Sequence, residues 1–145
     1  MTRFLLLLAL LVAAPAAAQQ RPQPEWRQAV EHQVLLKIGG YEPNPLRLEG
    51  GRPTRLIFYN NSRAPLTVDA GSFFAQSRIR SGDDQLVRDG GLELAPGQTR
   101  AVTLVPTPGR YRLRSRSWLR RVLGQSSLII VDPPRQHSEG RPIED

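Results

Sequence analysis

The amino-acid sequence predicts an all-β sandwich, and three observations lead to that fold class. The chain of 145 residues contains 13 prolines and 12 glycines, which favour turns over long helices. Apolar and polar residues alternate in short runs, as they do in half-buried strands. Turn residues separate these runs at intervals of about 8 to 12 residues, a spacing typical of sandwiches. A chain of this length is expected to form about one domain.

Eight short strands are predicted, and turn residues follow most of them. The first run ends at Gly39, the second at Gly50 and the third at Asn60. The region near residues 70–88 lacks the alternation and contains Phe73 and Phe74, so a short helix or a crossover loop is predicted there. In chain order, the predicted strands are residues 34–38, 45–49, 54–59, 66–69, 92–94, 101–105, 110–115 and 127–131. The expected architecture is a sandwich of about seven to eight strands.

The chain is predicted to divide into four parts. Arg3 precedes an apolar run at residues 4–13, and the small residues Ala16 and Ala18 fit the cleavage site of a secretory signal peptide. The apolar run is too short to span a bilayer. Residues 1–18 are therefore expected to be removed, which leaves a periplasmic protein without a stable membrane anchor. Residues 19–29 are expected to form a flexible lead-in, residues 30–132 the folded domain, and residues 133–145 a disordered tail of prolines and charges.

The residue types that are missing exclude several chemistries. The sequence has no cysteine, and its one methionine is Met1. Disulfides, thiolate zinc sites, iron–sulfur clusters and copper centres that need a thiolate are therefore excluded. The two histidines, His32 and His137, fall outside the predicted strands.

Arginine carries almost all of the positive charge. The chain has 20 basic and 13 acidic residues, a net charge of +7, and loss of Arg3 with the signal segment would lower it by one. Lys37 is the only lysine. Two explanations of this bias remain open. It reflects a GC-rich genome, because arginine codons are rich in G and C, or it attracts anionic partners.

Several turn-containing segments follow one another in a recognisable order. Residues 41–51 precede the strand that ends in Asn60-Asn61; residues 94–99 read Leu-Ala-Pro-Gly-Gln-Thr, and residues 108–111 read Pro-Gly-Arg-Tyr. Their order and spacing resemble those of the cupredoxins, the family of blue-copper β-sandwiches. The resemblance covers residues 34–131 and implies a Greek-key sandwich of the cupredoxin type.

The positions at which cupredoxins hold copper carry other residues in this chain. The resemblance implies a histidine in a pattern like His-x-Phe-x-Ala-x-x-Phe-Phe, but residues 66–74 begin with Leu66. It also implies a Cys, a His and a Gly-Met pair in one later loop, where this chain has Ser115, Arg120 and Gly124-Gln125. A type 1 copper site needs a thiolate and two neutral imidazoles, which leucine, serine and arginine do not supply. No metal or other cofactor is therefore expected.

Three interpretations of these substitutions remain open. In the first, Leu66 fills the former copper pocket with apolar volume, and Arg120 donates hydrogen bonds to neighbouring side-chain oxygens. In the second, the pocket has become polar and binds a small anion. In the third, the alignment is displaced by a few residues, so that Thr67 or Ser117 is the relevant position.

Arginines alternate along the strand predicted at residues 110–115 and continue beyond it. A strand places every second side chain on one face, so four of these arginines are expected to share a face. That face is either solvated or binds an anionic small molecule or an acidic periplasmic protein. Trp118 is either an interaction anchor or part of the core. Nucleic-acid binding is not expected, because no aromatic platform interleaves with the basic residues. The candidate binding residues are Arg110, Arg112, Arg114, Arg116, Trp118, Arg120 and Arg121.

The sequence contains no catalytic constellation, so no enzyme is predicted. It has no Ser-His-Asp order and no nucleophile-elbow motif, and Asp83-Asp84 is interpreted as a solvated turn. The predicted function is a non-redox binding or accessory module with a degenerate copper site. The alternative is a copper-handling or electron-transfer accessory protein that uses non-standard or shared ligands such as His32, and copper is the cofactor only in that case.

Overall fold

The computed structural model describes residues 22–115 and 127–135. Its one described α-helix, α1, spans Gly71–Gln76, and short 3-10 helices span Trp26–Gln28 and Asp84–Leu86. Within the described residues, no helix has the length and apolar character needed to cross a membrane. The described strands are β1 (Val30–Lys37), β2 (Gly40–Glu42), β3 (Leu46–Glu49), β4 (Thr54–Asn60), β5 (Leu66–Asp69), β6 (Arg78–Ile79), β7 (Gly91–Leu94), β8 (Thr99–Val105), β9 (Gly109–Ser115) and β10 (Ser127–Asp132).

The strands form two sheets of five strands each. The first sheet has the order β2-β1-β4-β8-β6, and the second has the order β3-β10-β9-β5-β7. β1 is parallel to β4 and β3 is parallel to β10, whereas the other pairs are antiparallel. From β3 to β9, successive strands alternate between the two sheets. Each connection between β3 and β9 therefore crosses from one sheet to the other.

In β3, β4, β5 and β10 the two sheets pack against each other through every second residue. In β4, Leu56 and Phe58 are buried while Arg55 and Tyr59 are exposed. Burying an aliphatic or phenyl side chain stabilises a fold by roughly 1.5–3 kcal/mol, so these layers supply most of the driving force for folding. The fully buried large side chains include Phe58, Phe73, Leu36, Leu56, Leu92, Leu94, Leu104, Leu113, Ile129, Val34, Val68 and Val102.

The predicted all-β sandwich is confirmed, and each of the eight predicted strands is present. The largest difference lies in β1, which begins at Val30 instead of residue 34, because its parallel pairing with β4 extends back to Thr54. The region near residues 70–88 contains α1, as its lack of alternation predicted. The described residues contain ten strands rather than seven or eight.

The two additional strands are β2 and β6, which contain three and two residues. Each lies at an edge of the first sheet. A run of two or three residues is too short to show a period of two, so the sequence pattern does not reveal it. Both strands form because a longer neighbour, β1 or β8, offers an open edge.

The turn that leads into β9 holds α1 against the second sheet. Tyr111 is 5% exposed, and its hydroxyl donates a hydrogen bond to the Thr107 carbonyl at 2.8 Å. Its ring meets the Phe73 ring of α1 edge-on, with centroids 5.4 Å apart. A Cβ atom added to Gly109, whose φ is +157°, would lie 3.0 Å from the Tyr111 hydroxyl oxygen. Glycine at this position therefore leaves room for the Tyr111 side chain to pack against the backbone of the turn.

Candidate functional site

Leu66 lies where the resemblance placed the first copper-binding histidine. It is the first residue of β5, is 6% exposed, and belongs to the hydrophobic core. Its backbone pairs with Leu94 of β7, and Val68 lies on the same inner face. Leucine has no donor atom for a metal. This position therefore contributes apolar volume to the core.

Ser115, the second of the four positions, ends β9 on the strand beside β5. Its backbone pairs with Val68, which is two residues along β5 from Leu66. Alternate residues of a strand are about 7 Å apart, so the fold brings these two positions close together at one end of the second sheet. The other two positions, Arg120 and Gln125, lie outside the described residues, as do Arg116, Trp118 and Arg121.

The side chain of Asn60 holds the loop that leads to Leu66. Asn60 is fully buried, and its Nδ2 lies 2.9 to 3.1 Å from the carbonyl oxygens of Ala64, Leu94 and Ala95. Its Oδ1 accepts hydrogen bonds from the backbone and hydroxyl of Ser62, at 3.0 and 2.8 Å. The amide thus joins the loop after β4 to the end of β7. Since Leu94 pairs with Leu66, the same contacts fix where β5 begins.

His32 lies inside β1, so the prediction that it falls outside the strands is wrong. It pairs with Leu56 of β4 because the parallel pairing extends β1 toward its amino end. Burial lowers the pKa of His32, because the charged imidazolium loses solvation. Asn60, which marks the end of the sandwich that holds Leu66, is four positions farther along β4, about 13 Å at the usual rise of a strand. His32 and position 66 therefore belong to separate regions.

The residues present do not fit a type 1 copper ion. In the described part of the chain, no three His, Cys, Asp or Glu side chains are placed to hold a metal. The whole sequence contains no cysteine, and His32 and His137 are its only imidazoles. A type 1 site requires a thiolate and two imidazoles at one place. The chain lacks this donor set.

A cleft of about 330 Å³ lies beside the amino end of β1. The Arg135 backbone N–H donates to Glu49, and this hydrogen bond is the main reason that the pKa of Glu49 is lowered. Arg52 approaches the same carboxylate at 3.4 Å, and Arg47 lies 3.6 Å from Asp132. Acidic and basic groups largely compensate each other here. Its lining holds three arginines and two carboxylates, so the cleft carries a net charge of only +1 without His32 and selects a ligand weakly.

Three of the candidate binding arginines form an outward-facing row on β9. Arg110, Arg112 and Arg114 are exposed, while the residues between them are buried. This is the alternation that the sequence predicts for the strand. A shallow cavity of about 390 Å³ lies against the row and is also lined by Asp69 and Ser72. Whether this face binds a partner remains a prediction.

Two aliphatic residues outside the predicted binding set lie beside the arginine row. In the β9–β10 pairing, Leu128 is opposite Arg112 and Ile130 is opposite Arg110. Both aliphatic residues are half-buried, whereas their neighbours along β10 are buried. The alternation of residues 127–131 could have indicated that Leu128 and Ile130 face outward. Their arginine partners follow only from the register between the two strands.

Asp83 is a structural residue, so its interpretation as part of a solvated turn is wrong. Its side chain is 13% exposed, and its carboxylate accepts hydrogen bonds from the Thr103 backbone N–H at 2.9 Å and the Arg80 guanidinium at 3.0 Å. The contact with Thr103 continues the edge of β8 beyond its pairing with β6. Asp84 is exposed, at the start of the short 3-10 helix that follows the turn, and it accepts the Gly82 N–H at 3.0 Å.

Replacing Asn60 with alanine is expected to destabilise the fold by roughly 2–4 kcal/mol, because buried carbonyl oxygens at the end of β7 lose their donor. Denaturant unfolding of the purified chain measures this change. The matched control is Asn61→Ala, since Asn61 is exposed and adjacent, and it should cost less than about 0.5 kcal/mol. Equal stabilities of the two variants would contradict the assigned role of the Asn60 amide.

The known proteins that this chain resembles are solved structures. No protein-family model matches the chain, and no curated protein matches it. A structure of auracyanin B is 19% identical, with a TM-score of 0.51 over 79% of this chain and 94% of that chain. A multi-copper oxidase from Pseudomonas thermotolerans is 18% identical, with a TM-score of 0.51 over 76% of this chain and 31% of that chain.

A third similar structure is the dithionite-reduced auracyanin from the photosynthetic bacterium Roseiflexus castenholzii. It is 17% identical, with a TM-score of 0.49, and the alignment covers 72% of this chain and 98% of that chain. Sequence identities this low relate folds and leave function open. The matches to auracyanin B and the multi-copper oxidase show that this chain has a cupredoxin-like fold.

Proposed function

We propose that this protein is a cupredoxin-like binding module that holds no type 1 copper and associates with an anionic partner without redox chemistry. The observation that carries the proposal is Leu66, a buried apolar side chain at the position where the family resemblance implies a metal-binding histidine. In this proposal the two-sheet scaffold presents a binding surface, and the region around Leu66 is part of the core. The protein acts by association rather than by catalysis.

The composition of the chain supports the same proposal. Because no thiolate is available anywhere in the sequence, a type 1 centre lacks its defining ligand. Copper handling through His32, the alternative function, has less support. His32 lies on β1 beside Leu56, about 13 Å along the strands from the level of Asn60. A single imidazole in that position makes a weak site unless a partner supplies further ligands.

We also propose that the protein is exported to the periplasm. Residues 1–18 have the charged start, the apolar run and the small residues of a secretory signal. The functional chain then begins at Gln19. Its first three residues are Gln19, Gln20 and Arg21, so an amino-terminal copper site with histidine at the third position is also missing.

The untagged chain from Gln19 onward is expected to bind neither Cu(II) nor Cu(I) in a stoichiometric complex, because its donors are scattered. Calorimetric titration measures binding, and absorption spectroscopy detects the intense charge-transfer band of a copper–thiolate site. The protein must carry no histidine tag, since a tag binds copper itself. Tight one-to-one binding of either ion would overturn the copper-free proposal.

Restoring the four implied ligands together is expected to create a coloured copper site if the assignment of positions is right. The variant carries Leu66→His, Ser115→Cys, Arg120→His and Gln125→Met. The matched control omits Ser115→Cys and should stay colourless, because the colour requires the thiolate. Circular dichroism verifies the fold of both variants. A folded fourfold variant that stays colourless with copper would argue that the positions are misassigned.

Export is expected to yield a periplasmic product that begins at Gln19. Amino-terminal sequencing of the product from the periplasmic fraction tests this. Signal peptidase requires small residues on both sides of the middle position in its motif. Ala16→Glu or Ala18→Glu should therefore block cleavage, whereas the control Ala17→Glu should be processed normally. An unprocessed wild-type chain, or normal processing of all three variants, would refute the assigned cleavage site.

A further inference from the structure

The outer face of the second sheet carries a row of cations beside a pair of aliphatic side chains. Arg110 and Arg112 of β9 are exposed, and Ile130 and Leu128 of β10 lie directly opposite them. Ile130 also pairs with Arg47 of β3, so it has an arginine on each side. We call Arg110, Arg112, Leu128 and Ile130 the β9–β10 patch. It combines positive charge with apolar area that is only partly covered.

No ion pair among the described residues engages the two arginines at the centre of this face, although Asp69 lines the same cavity. Arg47 pairs with Asp132 at 3.6 Å, and Arg114 lies in register with Asp69. Arg110 and Arg112 form no salt bridge with any residue in ranges 22–115 and 127–135. Within these ranges their guanidinium groups are therefore available to a carboxylate of a partner.

The spacing of the two arginines indicates the form of the ligand. Side chains on the same face of a strand recur about every 7 Å. A single small anion is shorter than this separation and leaves the aliphatic side chains uncovered. An extended peptide repeats its side chains at the same distance, so carboxylates at alternate residues can meet Arg110 and Arg112 one to one. An aliphatic residue in the same alternating set can then cover Leu128 or Ile130.

Granted the binding role proposed above, we propose that the β9–β10 patch binds an acidic segment of a partner protein in extended conformation. The side of the segment that faces the sheet carries carboxylates at alternate residues together with an aliphatic residue. Two properties of the patch support this partner: two arginines at a strand spacing that form no ion pair among the described residues, and aliphatic surface beside them. The carboxylates attract the segment to the arginines and orient it on the sheet, and the aliphatic contact buries additional apolar surface.

Labelled peptides test the proposal by fluorescence anisotropy with the chain that begins at Gln19. One peptide contains Glu-Thr-Glu-Thr-Leu-Thr, and the comparison peptide has the same composition in the order Glu-Glu-Thr-Thr-Leu-Thr. When the two glutamates are adjacent, one of them faces away from the sheet, so binding should weaken about fivefold. Equal affinities of the two peptides would overturn the proposed spacing.

Variants locate the binding surface. The double variant Arg110→Glu and Arg112→Glu should weaken binding of the alternating peptide by about tenfold or more. The matched control is Arg63→Glu with Arg88→Glu, because both residues are exposed and the net charge changes equally. The control should change the affinity by less than about threefold, as expected for screened charges at a distance. Similar losses in both variants would indicate general charge attraction and would overturn the assignment to this patch.

The aliphatic contact is tested by Leu128→Thr and Ile130→Thr, which keep a residue suited to a strand. Each should weaken the alternating peptide about threefold, and should not change the affinity of a peptide in which threonine replaces the leucine. Unchanged affinity for the leucine peptide would overturn the apolar part of the proposal.

Phosphate competition separates a protein ligand from a small anion. Sodium phosphate and sodium chloride are compared at equal ionic strength, and the two salts should reduce peptide binding equally, by screening alone. Displacement by phosphate alone would replace the peptide with a small anion as the ligand of this surface. Failure of the peptide to bind overturns the patch assignment and leaves the copper-free proposal standing, whereas stoichiometric copper binding overturns the proposed function itself.

Discussion

The amide of Asn60 is the constraint on which this end of the molecule depends. A buried amide must find partners for both its N–H groups and its oxygen, because water is absent. Asn60 satisfies both ends with the loop after β4 and the end of β7, and its backbone pairs with Gly97 and Gln98 in the turn before β8. Three chain segments from both sheets thus meet at one residue. These contacts fix where β5 starts and therefore where Leu66 lies.

The sequence predicts the strands well because each half-buried strand shows a period of two in its own residues. It fails where structure depends on a distant neighbour. β6 has only two residues and forms against β8, and the burial of Asp83 depends on the Thr103 N–H of that strand. The sequence does not predict that His32 lies in β1, because its polar imidazole interrupts an otherwise apolar series. In the structure the more buried positions of this strand alternate with more exposed ones and are Val30, His32, Val34 and Leu36.

The candidate site divides in the same way. The missing donor set is a property of composition, so the sequence alone excludes a thiolate-bound copper. The outward row of Arg110, Arg112 and Arg114 follows from strand periodicity, which the sequence also contains. The pairing of two of those arginines with Leu128 and Ile130 depends on the β9–β10 register. The alternation within the two strands excludes a slip of one residue but not of two, so it does not specify these pairs. The combination of charged and aliphatic side chains on this surface therefore depends on how β9 and β10 pair.

The parallel pairing of β3 with β10 has a consequence for how the chain folds. Ile129 lies beside Leu46, so the second sheet is complete only when nearly the whole domain is available. Closing such a long loop costs entropy before any contact compensates it, and topologies dominated by distant contacts fold slowly. In a nascent chain the second sheet cannot be completed before β10 has been synthesised. Late completion of this sheet leaves time for the export that we propose for this protein.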